Sequence, residues 1–147
     1  MSTTAPILAR DAKNGAGLLY APLASPVRLL DTRAGQVACD APGVPLDARA
    51  TRVEPARVAC SGAAVPGGAR AVVGNATVVN PAGGGAGYVT LYPSGADRPT
   101  VSNLNYVPGQ VVPNAFTVGL GAGDGAFAIY AYTSVDFVVD VSGYFAP

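Results

Sequence analysis

The residues best placed to do chemistry are the aspartates of Asp31-Thr32-Arg33 and Asp140-Val141-Ser142-Gly143, two segments that echo the loops of aspartic proteases. That chemistry needs two Asp-Thr/Ser-Gly loops, so that two carboxylates come close enough to share a proton. Arg33 stands where the first glycine must be, and Val141 separates Asp140 from Ser142-Gly143. Neither copy fits. The two aspartates therefore read as structural, Asp31 and Asp140 accepting hydrogen bonds from backbone amides or from arginine, with Arg33 close by, and locking strand ends. The alternative is calcium held by Asp31, Asp136 or Asp140 with loop carbonyls, since calcium accepts such oxygens without strict geometry. No Asp-x-Asp-x-Asp spacing supports it, and the expectation is no metal and no other cofactor.

Histidine is absent from the 147 residues. Its absence removes the usual general base, the Ser-His-Asp and Cys-His nucleophile systems and the commonest transition-metal ligand. One lysine (Lys13) and one glutamate (Glu54) leave Schiff-base chemistry or a glutamate pair to rest on single residues. An Asp-based glycan hydrolase would need two carboxylates roughly 5 to 10 Å apart in a cleft, and the scarcity of glutamate argues against it. The glycine-rich stretches at 83–87 and 119–125 lack the Lys-Ser/Thr and helix start of a phosphate loop, so they read as hairpin loops. The chain is expected not to be an enzyme.

Cys39 and Cys60 stand 21 positions apart, in neither a CxxC redox nor a zinc-ligand arrangement. They read as a structural disulfide, which at that loop length would stabilise the fold by about 3 kcal/mol in the chain-entropy view. Two buried thiols in a reducing cytosol are the alternative. A bridge implies an oxidising compartment, hence a secreted or cell-surface protein. The first ten residues lack a basic region followed by a long apolar one, so no signal peptide is read there. Export is then expected to follow another route, or a removed signal. No apolar run approaches the roughly 18 residues of a membrane-spanning helix, so membrane insertion is not expected.

Seven tyrosines with no tryptophan raise the question of sugars, which sit on flat aromatic faces beside amides and charged groups. Tyr88, Tyr92 and Tyr106, with Asp97, Asn103 and Asn105, are the candidate glycan-binding residues, and Tyr130 and Tyr132 add the same ingredient. The same tyrosines are what a sandwich uses to cover a sheet and seal it with a polar tip.

These residues must be positioned by strands. Charged residues are only 12% of the chain while 50% are hydrophobic, the reverse of the disorder signature, and 19 glycines and 13 prolines argue against a helical bundle. Nine basic and nine acidic residues cancel, leaving no field to hold nucleic acid or anionic lipid. After an N-terminal arm at 1–17, short β-branched and aromatic runs recur from Leu18 onward, separated by turn chemistry such as Pro66-Gly67-Gly68, Pro93-Ser94-Gly95 and Pro108-Gly109. In the last run Phe137, Val139 and Val141 fall on one face and Asp136, Val138 and Asp140 on the other. In the run before it, Phe127 and Ile129 oppose Tyr130 and Tyr132, so part of that strand is covered on both sides. About nine strands spanning 18–147 in one antiparallel β-sandwich or jelly roll, with almost no helix, is the expected fold.

Four segments carry a resemblance: Pro26-Val27-Arg28-Leu29-Leu30-Asp31-Thr32-Arg33, Gly87-Tyr88-Val89-Thr90-Leu91-Tyr92-Pro93-Ser94-Gly95, Ser102-Asn103-Leu104-Asn105-Tyr106 and Val139-Asp140-Val141-Ser142-Gly143-Tyr144-Phe145. Together they resemble a poorly characterised family of extracellular β-domains from actinobacteria and other bacteria. The resemblance covers roughly 20–146 and implies an exported β-rich domain, sometimes appended to hydrolases, with no catalytic residues to carry over. Two functions follow as expectations. The first is a non-enzymatic extracellular structural protein that assembles with copies of itself or attaches to surface polymers, the arm at 1–17 adding as a strand to a neighbour's sheet edge. The second is a carbohydrate-binding module that anchors an exported partner to cell-wall or extracellular polysaccharide.

Overall fold

The computed structural model describes residues 17–60 and 63–147. The expected arm at 1–17 thus lies, apart from Gly17, outside the described residues. Alternating apolar residues and Gly/Pro punctuation produce ten strands: β1 (Leu19–Asp31), β2 (Ala50–Pro55), β3 (Ala59–Cys60), β4 (Ala63–Ala64), β5 (Ala71–Val79), β6 (Gly87–Pro93), β7 (Leu104–Tyr106), β8 (Val111–Gly119), β9 (Ala126–Ala131) and β10 (Asp136–Ala146). The described residues contain no helix. The apolar runs at Leu18-Leu19-Tyr20 and at Val27 to Leu30 belong to one strand, because both pair with β10 on either side of an irregularity between Pro22 and Val27.

Two four-stranded antiparallel sheets form, in the orders β1-β10-β5-β8 and β2-β9-β6-β7, and β3 pairs with β4. Among the eight longer strands the partners are nested in sequence: β1 with β10, β2 with β9, β5 with β8 and β6 with β7. Nested pairs dealt alternately to two facing sheets are the wiring of a jelly roll, so the sandwich-like fold takes the second of its two expected forms.

Period-2 alternation decides what faces inward. Val72, Ala76 and Val78 of β5, Phe137, Val139 and Val141 of β10, and Phe127, Ile129 and Ala131 of β9 are at most 1% exposed and meet in one core. Phe116 of β8 and Phe127 of β9 touch across the two sheets, with ring centroids 6.2 Å apart. The aspartate-bearing face of β10 is outward, as the alternation requires. Gly74 is needed where β10 bulges between Val141 and Gly143, because a Cβ there would strike the Asp140 carbonyl.

Edge strands leave unpaired backbone groups, and at two of the four edges, β1 and β8, these are covered or interrupted in part. The Cys39-Asp40 segment returns along β1: Cys39 donates to the Arg28 carbonyl at 2.9 Å, Asp40 to that of Leu29 at 2.9 Å, and Asp31 donates to that of Asp40 at 3.0 Å. Cys39 is disulfide-bonded to Cys60 in β3, their Cα atoms 5.9 Å apart, which fastens this return segment to the β3–β4 hairpin. β8 carries Pro113, which has no N–H to offer a neighbouring chain.

The core ring Phe127 has no room to be replaced by a smaller side chain without leaving a void. Phe127→Ala should cost about 3–5 kcal/mol, read as a lower urea midpoint with an unchanged slope; a loss under 1 kcal/mol would show that the two sheets do not meet at this ring.

Candidate functional site

The outward face of the β2-β9-β6-β7 sheet carries the tyrosines. Alternation puts Tyr88, Thr90 and Tyr92 of β6 on that face, and the register places Thr90 opposite Tyr130 and Tyr92 opposite Ala128 of β9. The backbone N–H of Tyr132, just past β9, donates to the Tyr88 carbonyl at 3.0 Å, which brings these two side chains together. Their rings stack at 5.4 Å with planes 15° apart, and Tyr88 meets Tyr130 at 6.0 Å. Arginines close both ends of the row, Arg98 lying 3.6 Å over the Tyr130 ring and Arg49 4.8 Å over that of Tyr132.

The loop between β6 and β7, residues 94–103, lies over this face and is fastened to it. The Thr90 hydroxyl donates to the Val101 carbonyl at 2.6 Å, and Thr90 is fully buried although its strand faces outward here. Asn103 donates its N–H to the Val89 carbonyl at 2.8 Å, and its Oδ1 accepts the Leu91 N–H at 2.9 Å. Its own carbonyl accepts Nδ2 of Asn114 at 2.6 Å. Between loop and sheet lies a cavity of about 330 Å³ lined by Tyr88, Arg98, Pro99, Thr100, Val101, Ser102 and Asn105. The Ser102 hydroxyl donates toward Oδ1 of Asn105 at 3.0 Å, which orients the Asn105 amide so that its Nδ2 is left to donate.

Of the six candidate glycan residues, Tyr88 and Asn105 line this cavity. Tyr92 is 7% exposed, packs in one cluster with Tyr130 and Tyr88, and has its hydroxyl 3.2 Å from that of Thr51. Asn103 is spent on backbone partners that hold the loop. Asp97 is exposed in the turn after β6. Tyr106 departs from the expected set: it is 3% exposed and faces the core, its hydroxyl 2.9 Å from that of Thr133. The alternation of β7 requires this, since Leu104 and Tyr106 share the inward face and Asn105 the outward one. Arg49, Arg98, Thr100 and Ser102 went unread in the sequence. The tyrosines on one face of β9 were a signal; nothing local marks Arg98, which reaches the site from a loop.

The aspartate pair forms a separate cluster on the β1–β10 seam. Asp31 is fully buried, accepts Nε and Nη2 of Arg33 at 2.9 and 2.7 Å, and accepts the Arg33 backbone N–H at 3.1 Å. The Arg33 guanidinium holds the Asp31 carboxyl below the usual carboxylate range. Arg28 donates to both oxygens of Asp140 at 2.9 and 3.1 Å, across a directly paired position. Thr32 donates to Asp136 at 2.8 Å and accepts the Phe137 N–H at 2.9 Å. The carboxylates thus meet arginines and a hydroxyl, and among the described residues no three acidic or cysteine side chains converge as metal ligands.

One buried acid was not anticipated. In β2 the inward residues are Arg52 and Glu54, while Val53 is 52% exposed. Glu54 is 1% exposed and accepts Nε of Arg52 at 3.0 Å, and Arg52 reaches on to Asp40. Burial pushes the Glu54 carboxyl up to about 7, against the pull of Arg52 and with a further push from Asp40. The folded protein therefore holds this proton more tightly than the unfolded chain, whose carboxyl titrates near 4.5. The resulting stability is complete below about 4.5 and is lost as the pH rises to about 7. Melting temperatures measured across that window should fall for the native chain and stay level for Glu54→Gln; parallel curves would show that Glu54 does not carry the dependence.

Comparison with protein-family models, with curated proteins and with solved structures finds no match for the chain.

Proposed function

We propose that the chain is a non-catalytic, exported binding module that holds a carbohydrate in the cavity between Tyr88, Arg98 and Asn105. The observation that carries this reading is a pre-formed cavity on the tyrosine row, walled by a loop whose two ends are bonded to the sheet. Its size, about 330 Å³, falls at the small end of ligand clefts. Its lining joins an aromatic ring, an amide, a guanidinium and hydroxyls, the groups that meet the C–H faces and hydroxyls of a sugar. The Cys39–Cys60 bond is compatible with an extracellular setting, where such bonds persist. Among the described residues no helix is long and apolar enough to cross a membrane.

Self-assembly with copies of itself, through the arm at 1–17, is a second proposal. One observation favours it: β1 lies at a sheet edge and begins with Leu19 and Tyr20, which are 73% and 49% exposed directly after the arm. Sedimentation velocity separates the two proposals. The binding module should sediment as a monomer, whereas self-assembly requires a larger particle whose mass falls when 1–17 is deleted.

Titration of soluble polysaccharides, followed by tyrosine fluorescence, tests the first reading directly. Saturable binding is expected, and Tyr88→Ala should weaken it about tenfold, the order of one lost aromatic contact. Flat titrations across neutral and acidic polysaccharides alike would overturn the reading.

A further inference from the structure

We infer that the carbohydrate held at this cavity is acidic, carrying carboxylate, sulfate or phosphate groups; the inference rests on the binding proposal above and specifies its ligand. The argument begins with where fixed charge is neutralised. Arg28, Arg33 and Arg52 each have a carboxylate partner, in Asp140, Asp31, and Glu54 with Asp40 respectively. Arg57 and Arg70, which have no carboxylate partner among the described residues, line a different cavity with Gly67 and Leu120. Among the described residues Arg49 and Arg98 are likewise outside any ion pair. Both instead lie on tyrosine rings at the two ends of one row. This face thus keeps two cations outside any ion pair among the described residues.

The manner of their support matters as much as the charge. A guanidinium over an aromatic ring engages its π face and keeps its in-plane N–H fork free, and that fork matches the paired oxygens of carboxylate, sulfate or phosphate. Arg49 commits one N–H to the Tyr132 hydroxyl at 3.2 Å. Arg98 lines the cavity with Asn105 and Ser102, so an anionic substituent there would meet the fork while the sugar hydroxyls meet the amide. The acidic neighbour Asp97 stays in water and forms no ion pair with Arg98. With cations at both ends of the tyrosine row, the face suits a polymer charged on more than one residue, where the second contact adds to the first.

The test compares dextran, dextran sulfate, polygalacturonate and poly-glutamate as ligands of the full chain. Dextran sulfate or polygalacturonate should bind about tenfold or more tightly than dextran, and the affinity should fall as sodium chloride rises from about 50 to about 500 mM. The arm that binds better distinguishes sulfate from carboxylate. Arg98→Gln and Arg49→Gln should each lose at least about fivefold at unchanged melting temperature, and Arg98→Lys should recover only part of its loss, keeping the charge but not the fork. Equal affinity for dextran would overturn the acidic ligand while leaving the binding module standing. Binding of poly-glutamate as tight as that of either acidic glycan would overturn it too, by showing a charge surface rather than a saccharide site. No binding to any of the three glycans would bring down both.

Discussion

The ladder between β1 and β10 joins Leu19 to Ala146 and encloses every other strand pair of the sandwich. An antiparallel contact of such sequence separation gains nothing until the intervening chain is ordered, so its closure entropy must be met by contacts at the seam. The seam is where the polar side chains of the fold concentrate. Arg28 grips Asp140 across the ladder, Arg33 folds back on the buried Asp31, and the Thr32 hydroxyl accepts the Phe137 N–H near the start of β10. Charge-assisted bonds of this kind are directional, and a one-residue slip of β10 would turn Phe137, Val139 and Val141 to water. Of the two aspartates that resemble catalytic groups in the sequence, Asp140 thus pins the register, while Asp31 braces the end of β1 through Arg33.

The period of the sequence made much of this legible. Val/Phe alternation in 137–141 identified the inward face of β10, and bulk on both sides of 127–132 identified a strand covered twice. What covers it on the outer side was not legible, because the cover is a loop. Arg98 is one charged residue in a Gly/Pro-rich stretch until the turn after β6 lays it on Tyr130, 32 positions away. Tyr106 groups in the sequence with Asn103 and Asn105 as a candidate, with packing as the alternative, and the structure turns it inward, because both ends of the three-residue strand β7 face the core. β2 reverses the usual rule, burying Glu54, turning the half-buried Arg52 inward and exposing Val53. Hydrophobicity alone assigns that strand to the wrong face, and the partner that tolerates the inversion, Asp40, comes from a different segment.

The two sheets divide the work. The β1-β10-β5-β8 sheet is bound by ion pairs along its seam and supplies a rigid back. The β2-β9-β6-β7 sheet has apolar residues on both faces, and its outer tyrosines would be an unprotected patch if the loop at 94–103 and the arginines did not cover them. Covering them produces the cavity. The same bonds that shield the patch, Thr90 to Val101 and Asn103 to β6, also hold the cavity wall in place, so the cavity is ordered by the fold itself.

The nested order of the strands places that loop at a particular point in the chain. Residues 94–103 connect β6 to β7, the innermost pair, and so form the tip of a single long hairpin that the jelly roll wraps up. The connections β5–β6, β7–β8, β8–β9 and β9–β10 each cross from one sheet to the other, whereas the tip only has to return. Length and side chains can change there without altering the register of any ladder, provided the anchors at Thr90 and Asn103 remain. The architecture therefore separates a constant framework from an exchangeable loop, so that the tip can vary while the scaffold stays the same.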